Sequence, residues 1–116
     1  MRSFFTSHYK FIVTNNKDGY VDYIIQSLNG DEIGIIQTVQ TDANDIFIRL
    51  IKINPAFKRQ GHATIVMDEM LSTFKPKSIT ICIATQSDEA NAFWKSYLAK
   101  RKNSNIRGAI YRIHNN

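Results

Sequence analysis

"INPAFKRQGHATIVMDEM", residues 53–70, decides how the rest of the chain is read. An aliphatic run ends at Pro55. Lys58, Arg59 and Gln60 follow, then Gly61, His62 and Ala63. From Ala63 onward, apolar side chains recur at Val66, Met67, Met70, Leu71 and Phe74. That is the spacing of an amphipathic helix, and the residue before Pro76 is pushed out of helical geometry, so the helix stops near Lys75. The stretch therefore hands a strand to a helix through a basic loop that contains a glycine.

Upstream of this junction the period is two. "HYKFIVT" (8–14), "YVDYIIQSL" (20–28), "IGIIQTVQ" (33–40) and "IFIRLIKI" (46–53) read as strands. Asp18-Gly19 and Asn29-Gly30 are strong hairpin signals between them, and "TDAND" is a polar turn. In the last of these strands, Ile46, Ile48 and Leu50 alternate with Phe47, Arg49 and Ile51. The first half is thus an antiparallel meander. Downstream, "SITICIAT" (78–85) is nearly all apolar, as in a strand covered on both faces. Asp88 and Glu89 then suit the first turn of a second helix, whose face carries Ala90, Phe93, Trp94, Tyr97 and Leu98. Lys95, Lys100, Arg101 and Lys102 suit its C-terminal half and the tail beyond. "IRGAIYRI" (106–113) closes the chain as one strand. The order of four strands, helix, strand, helix, strand predicts an α/β (α+β) fold with a mixed central sheet. Its two parallel strands are joined by the first helix.

With 116 residues the chain predicts a single domain, residues 1–116, and 43% hydrophobic residues suffice for one core. The net charge of +5 points to an anionic partner without naming one. The single cysteine, Cys82, excludes an internal disulfide and reads as a small buried hydrophobe. No window reaches the ~18 apolar residues of a membrane span. The N-terminus lacks a secretory signal pattern, so a cytoplasmic location is expected. No metal-ligand spacing links His8, His62 and His114. The basic stretch "KRKNSNIR" (100–107) raises nucleic-acid binding, but a solvated helix end accounts for it.

The basic loop has two readings. One is an ordinary helix start with a solvated basic face. The other is an anion cradle: a helix N-terminus offers unpaired N–H groups, Gly61 allows close approach, and Lys58 and Arg59 add charge. Ala63 is small, and Thr64 could add a hydroxyl.

The loop does not stand alone. "INPAFKRQGHATIVMDEML" resembles the acetyl-coenzyme A loop of the GNAT acetyltransferase superfamily, whose pattern is Arg/Gln-x-x-Gly-x-Gly/Ala after a strand ending in aliphatic-x-Pro. Lys58 occupies the Arg/Gln position, and Gly61 and Ala63 the small ones. "SDEANAFWKSYLA" (87–99) is similar to the family's second-helix segment. The resemblance implies a gap between the strands at 46–53 and 79–85, entered by the cofactor's pantetheine arm. Backbone groups of Ile51, Lys52 and Ile53 would pair with that arm. Backbone N–H groups from Arg59 through Gln60, Gly61 and His62 to Ala63 would hold the pyrophosphate. His62, in the loop's variable position, is expected to face solvent and offer only its backbone N–H, with a role beside the phosphates as the alternative. An amine on a protein or small molecule would attack the thioester directly.

Departures from the family accompany the match. Trp94 stands where the family has a proton-donating Tyr, and its indole N–H could donate a hydrogen bond to the sulfur; Tyr97, one turn on, is either the substitute proton donor or a core-face aromatic. Ser87 replaces an Asn that contacts the cofactor arm. Phe47 stands at a position where some relatives carry a Glu base, and Asp45, two residues earlier, reads as a turn residue. The family's two helices between the first strands are replaced by "NNKDG" (15–19), and one final strand stands where two are common. The acceptor side is thus open, suited to a macromolecular acceptor or to completion by a partner or a second copy of the chain. The expected function is an acetyl-coenzyme A dependent N-acetyltransferase of minimal form; a non-catalytic coenzyme A binding module of the same fold is the alternative.

Overall fold

The computed structural model describes residues 2–42, 44–101 and 104–115. Strands β1 (Ser3–Phe5), β2 (Tyr9–Lys17), β3 (Tyr20–Ser27), β4 (Glu32–Asp42) and β5 (Asp45–Ile53) form the antiparallel meander. Helix α1 (His62–Thr73) carries the chain to β6 (Ser78–Cys82), which pairs parallel to β5. Helix α2 (Asp88–Ala99) leads to β7 (Ser104–Arg107) and β8 (Ile110–His114). Among the described residues the sheet has eight strands in the order β1-β2-β3-β4-β5-β6-β8-β7. This is the mixed α/β architecture expected from the sequence.

Local chemistry sets the turns. Asp18 (φ 55°) and Gly19 (φ 84°) both take positive φ, as a two-residue hairpin turn matching the strand twist requires. This short turn occupies the place where the family has two helices. The C-terminal end differs from expectation. The run read as one strand is a hairpin, β7 and β8, because Gly108 (φ 57°) turns the chain back inside it. β1 was not foreseen either, being only three residues long. The strand expected to reach residue 85 ends at Cys82 and tightens into a 3-10 turn over Ile83–Thr85. Ala43 of the polar turn, and Lys102 and Asn103 of the basic stretch, lie outside the described residues.

The core lies where α1 covers the sheet. Val66, Met67 and Met70 are fully buried against Phe11, Ile25, Ile36, Ile48 and Ile81. Each such side chain contributes on the order of 1.5–3 kcal/mol. Phe74, just past α1, packs its ring against Phe4, Phe11 and Tyr23, with centroids 5.7, 5.6 and 5.9 Å away. From α2, Trp94 and Leu98 complete the same cluster.

Strand β5 breaks its expected alternation. Gln37 faces Leu50 and Thr38 faces Ile48, so Arg49 has no partner on β4 and forms a bulge. The shift of one residue buries Ile51, rather than Leu50, together with Ile46 and Ile48. Asp45 is not a free turn residue. It begins β5, and its Oδ1 accepts hydrogen bonds from Ser78 (2.6 Å) and Thr80 (3.0 Å) of β6. Cys82, expected to be buried, is only half-buried at the end of β6.

Candidate functional site: a cleft between diverging strands

The last pair between β5 and β6 is Ile48 with Ile81. β5 continues to Ile53, while the chain leaves β6 through its 3-10 turn. The bulge at Arg49 bends β5 at this branch point. Gln86 closes the apex by donating its Nε2 hydrogen to the Arg49 carbonyl, 2.9 Å away. Beyond the apex opens a cleft of about 380 Å³. Leu50, Ile51, Lys52 and Ile53 form one wall; Ser87, Ala90 and Phe93 form the other. A largely apolar slot with a few polar groups suits an uncharged, flexible arm.

The cleft runs into a second cavity under the loop. The two share Ile53, Lys58, Glu89 and Phe93, and the second is completed by Phe57, Arg59, Gly61, His62 and Ala63. The loop is shaped by its ends. Asn54 donates its backbone N–H to the Ile33 carbonyl (2.8 Å) and its side-chain amide to the Glu32 carbonyl (2.8 Å). Pro55–Phe57 then make a 3-10 turn. Arg59 (φ 63°) and Gly61 (φ 79°) both take left-handed backbone conformations, the ingredient of anion-binding backbone concavities.

Gly61 is the N-cap of α1, and no side chain caps this helix. The first bond of the helix runs from the Ile65 N–H to the Gly61 carbonyl, 3.2 Å away. The N–H groups of His62, Ala63 and Thr64 are therefore left to solvent or a ligand, at the positive end of the helix dipole. No acidic residue occupies this first turn. A Cβ added to Gly61 would meet nothing within 4 Å, so the space above the loop is open.

Charge at the mouth is balanced by a pair. Lys58 Nζ lies 2.9 Å from Glu89 Oε2, joining the loop to the first turn of α2. Glu89 is 71% exposed, so this pair is worth at most about 1 kcal/mol of stability.

The expected site residues divide into groups. Ile51, Lys52, Ile53, Lys58 and Ser87 line the cleft; Arg59, Gly61, His62 and Ala63 line the loop cavity. Gln60 and Thr64 are exposed and line neither cavity, and Gln60 Nε2 donates to the Ala56 carbonyl at 3.4 Å. Ser87 Oγ also accepts the Ala90 N–H (3.1 Å), capping α2. Trp94 is fully buried with no partner for Nε1 among the described residues, and does not line the cleft. Tyr97 donates to Asp68 Oδ1 on α1 (2.6 Å) and accepts from Arg101 (3.3 Å). Burial, then the bond to Asp68, pushes its phenol well up from 10.0. Tyr97 lines neither cavity.

His62, expected to face solvent and offer only its backbone, is half-buried, and its Nδ1 lies 2.7 Å from the Tyr9 hydroxyl. His8, which no spacing paired, lies with Nδ1 2.7 Å from Glu69 Oε2. Glu89, Phe93 and Tyr9 are the side chains that the sequence did not assign to the site. Lys58 and Glu89 are 31 positions apart, and Tyr9 and His62 are 53 apart. No local pattern reports such pairs.

No protein-family model and no curated protein matches the sequence. Solved structures do match in fold. A GNAT-family acetyltransferase from Staphylococcus aureus superposes with a TM-score of 0.60 at 12% identity, over 84% of this chain and 69% of its own. A putative acyl-CoA N-acyltransferase from Klebsiella pneumoniae gives 0.63 at 10% identity, over 89% and 77%. Tetrahymena GCN5 gives 0.61 at 10% identity, over 86% and 71%. The chain has the GNAT acetyltransferase fold. No helix among its described residues is long and apolar enough to cross a membrane.

Proposed function

We propose that the chain binds acetyl-coenzyme A and transfers its acetyl group to an amine. The observation that carries this reading is continuity. An apolar cleft at diverging strands opens directly into an uncapped, basic helix N-terminus. Open space at Gly61 and the cations Lys58 and Arg59 fit a diphosphate; Ile51, Ala90 and Phe93 fit an uncharged arm.

Bound acetyl-coenzyme A supplies a thioester whose acetyl group an amine nitrogen can take. The chain's share is positioning. Beyond Arg49, whose carbonyl Gln86 takes, the backbone groups of β5 have no strand partner on β6 among the described residues, so their hydrogen bonds on that side are available to the arm. The N–H groups opening α1 receive negative charge. Among the described residues Glu89 is the sole carboxylate lining either cavity, and it is paired with Lys58 at the mouth. The amine must therefore arrive unprotonated or lose its proton to water. The two-residue turn between β2 and β3 leaves the acceptor side open, which favours an acceptor amine on a protein, or a second copy of the chain completing the site.

A second reading, a non-catalytic coenzyme A binder, is favoured by one observation: Tyr97 is engaged by Asp68 and Arg101 outside the cleft. Calorimetric titration with coenzyme A tests the binding reading; it is expected to saturate at one site, and no heat at high concentration would end it. Free thiol release from acetyl-coenzyme A that depends on an added amine selects the enzyme. Binding without such release, across a panel of amines, selects the binder.

A further inference from the structure

We infer that the imidazole of His62 is itself a ligand for the cofactor's phosphate oxygens, held in its binding tautomer by Tyr9. The inference rests on the proposed coenzyme A site and adds a side chain to it.

Tyr9 lies in β2 and is 2% exposed. Its ring belongs to the core, where a phenylalanine would pack equally well. Its hydroxyl needs a partner, and among the described residues the one it has is His62 Nδ1, 2.7 Å away. Burial, and next the negative charge of Glu69, push the Tyr9 phenol up to about 12, so it keeps its proton. A buried O–H with a single neighbour donates to it. His62 Nδ1 is thereby the acceptor, which places the ring's N–H on Nε2.

The ring plane is fixed as well. Tyr9 and Phe57 meet the imidazole edge-on, with centroids 5.9 and 6.0 Å away and interplanar angles of 63° and 81°. His62 lines the loop cavity beside Arg59, Gly61 and Ala63. A preorganised Nε2–H at the opening of α1 thus adds one oriented donor to the backbone N–H groups there. Tyr9 is a positioning residue, and His62 the contacting one.

The test uses the full chain and two probes, coenzyme A and pantetheine, which lacks the phosphates. His62→Ala is expected to weaken coenzyme A about tenfold and leave pantetheine unchanged. Tyr9→Phe, which keeps the ring, is expected to weaken coenzyme A severalfold. Long-range proton–nitrogen NMR of the free wild type should show a protonated Nε2 and a bare Nδ1, and Tyr9→Phe should turn this into a tautomer mixture. Thermal melting of each variant checks folding, and His62→Gln replaces His62→Ala if the latter melts early. Wild-type binding with unchanged affinity in the His62 variants, or a protonated Nδ1, overturns this inference alone. A wild type that binds neither probe overturns the functional reading beneath it.

Discussion

The two helices of this domain begin in opposite ways. α2 opens on Ser87, whose hydroxyl caps the helix, and on Asp88 and Glu89 in its first turn. Its N-terminal donors and dipole are answered within the chain. α1 opens on Gly61, with no side-chain cap and no acidic residue in its first turn. Capping by Ser, Thr, Asn or Asp in place of Ala is worth about 0.5–2 kcal/mol, so leaving an end bare forgoes stability. Both ends border the loop cavity, α1 through Gly61 and His62 and α2 through Glu89. The difference teaches that an uncapped end is informative when a cavity, cations and an open glycine stand before it.

The largest effect expected is at the bare end. Gly61 holds φ 79°, where a β-branched residue is strained, and its Cβ would stand in the open space before the helix. Gly61→Val should weaken coenzyme A by more than about tenfold, through a left-handed penalty of about 1–2 kcal/mol and loss of close approach. Calorimetry on a variant with near-native circular dichroism measures it. Unchanged affinity would break the contrast between the two helix ends. Gly34 is a different glycine: a Cβ there would lie 2.1 Å from the Lys52 carbonyl oxygen, so its smallness serves sheet packing.

Further along α2, Tyr97 tests whether that helix handles protons. Tyr97→Phe removes a bond to Asp68 and should cost about 1 kcal/mol of stability, seen in urea melts. Turnover should hold, because the hydroxyl faces α1 and not the cleft. A collapse of turnover with intact binding would restore Tyr97 as the proton donor. The same phenols set an alkaline limit. Tyr9 and Tyr97 both titrate above 10.0 when folded, Tyr9 at about 12. Below about pH 10 their stabilisation is complete; as pH rises further, the unfolded chain loses protons first, and stability declines. Melting temperature should fall above about pH 10, and less so in the Tyr97→Phe variant.

At the capped end, Ser87→Ala removes the bond to the Ala90 N–H. It should cost about 1 kcal/mol, or roughly 4 °C in Tm, and change coenzyme A affinity less than twofold. A larger loss of affinity than of stability would make Ser87 a cofactor contact as well as a cap.

Much of this was legible in the sequence, for identifiable reasons. α1 and β6 were clear because helical and buried-strand periods are local. The loop was clear because Gly61 and its cations lie within a few positions. The bulge at Arg49 was not: one inserted residue leaves the apolar run "IFIRLIKI" unchanged, and only the partner strand shows the slip. The β7–β8 hairpin hid because Gly108 sits inside an apolar run. Ser87 was read as a contact because it stands where the family has an Asn; that it also caps α2 shows only in its bond to the Ala90 N–H. His62 was read as solvent-facing because its partner, Tyr9 on β2, is 53 positions away in the sequence.

The smallest effect expected concerns the pair that bridges the two ends. Lys58 is drawn toward Glu89, and Glu89 lines both cavities. A carboxylate there repels an incoming diphosphate and competes with it for Lys58. The pair itself adds little to folding, because both partners reach solvent. Glu89→Gln should therefore leave Tm nearly unchanged and tighten coenzyme A a few-fold. The gain should shrink as salt rises, since charges at this mouth are screened over about 8–10 Å at physiological ionic strength. Pantetheine, without phosphates, should show no gain. Weaker coenzyme A binding in Glu89→Gln would mean that the carboxylate steadies Lys58 for the ligand instead of withholding it. The bare end of α1 would then depend on the capped end of α2.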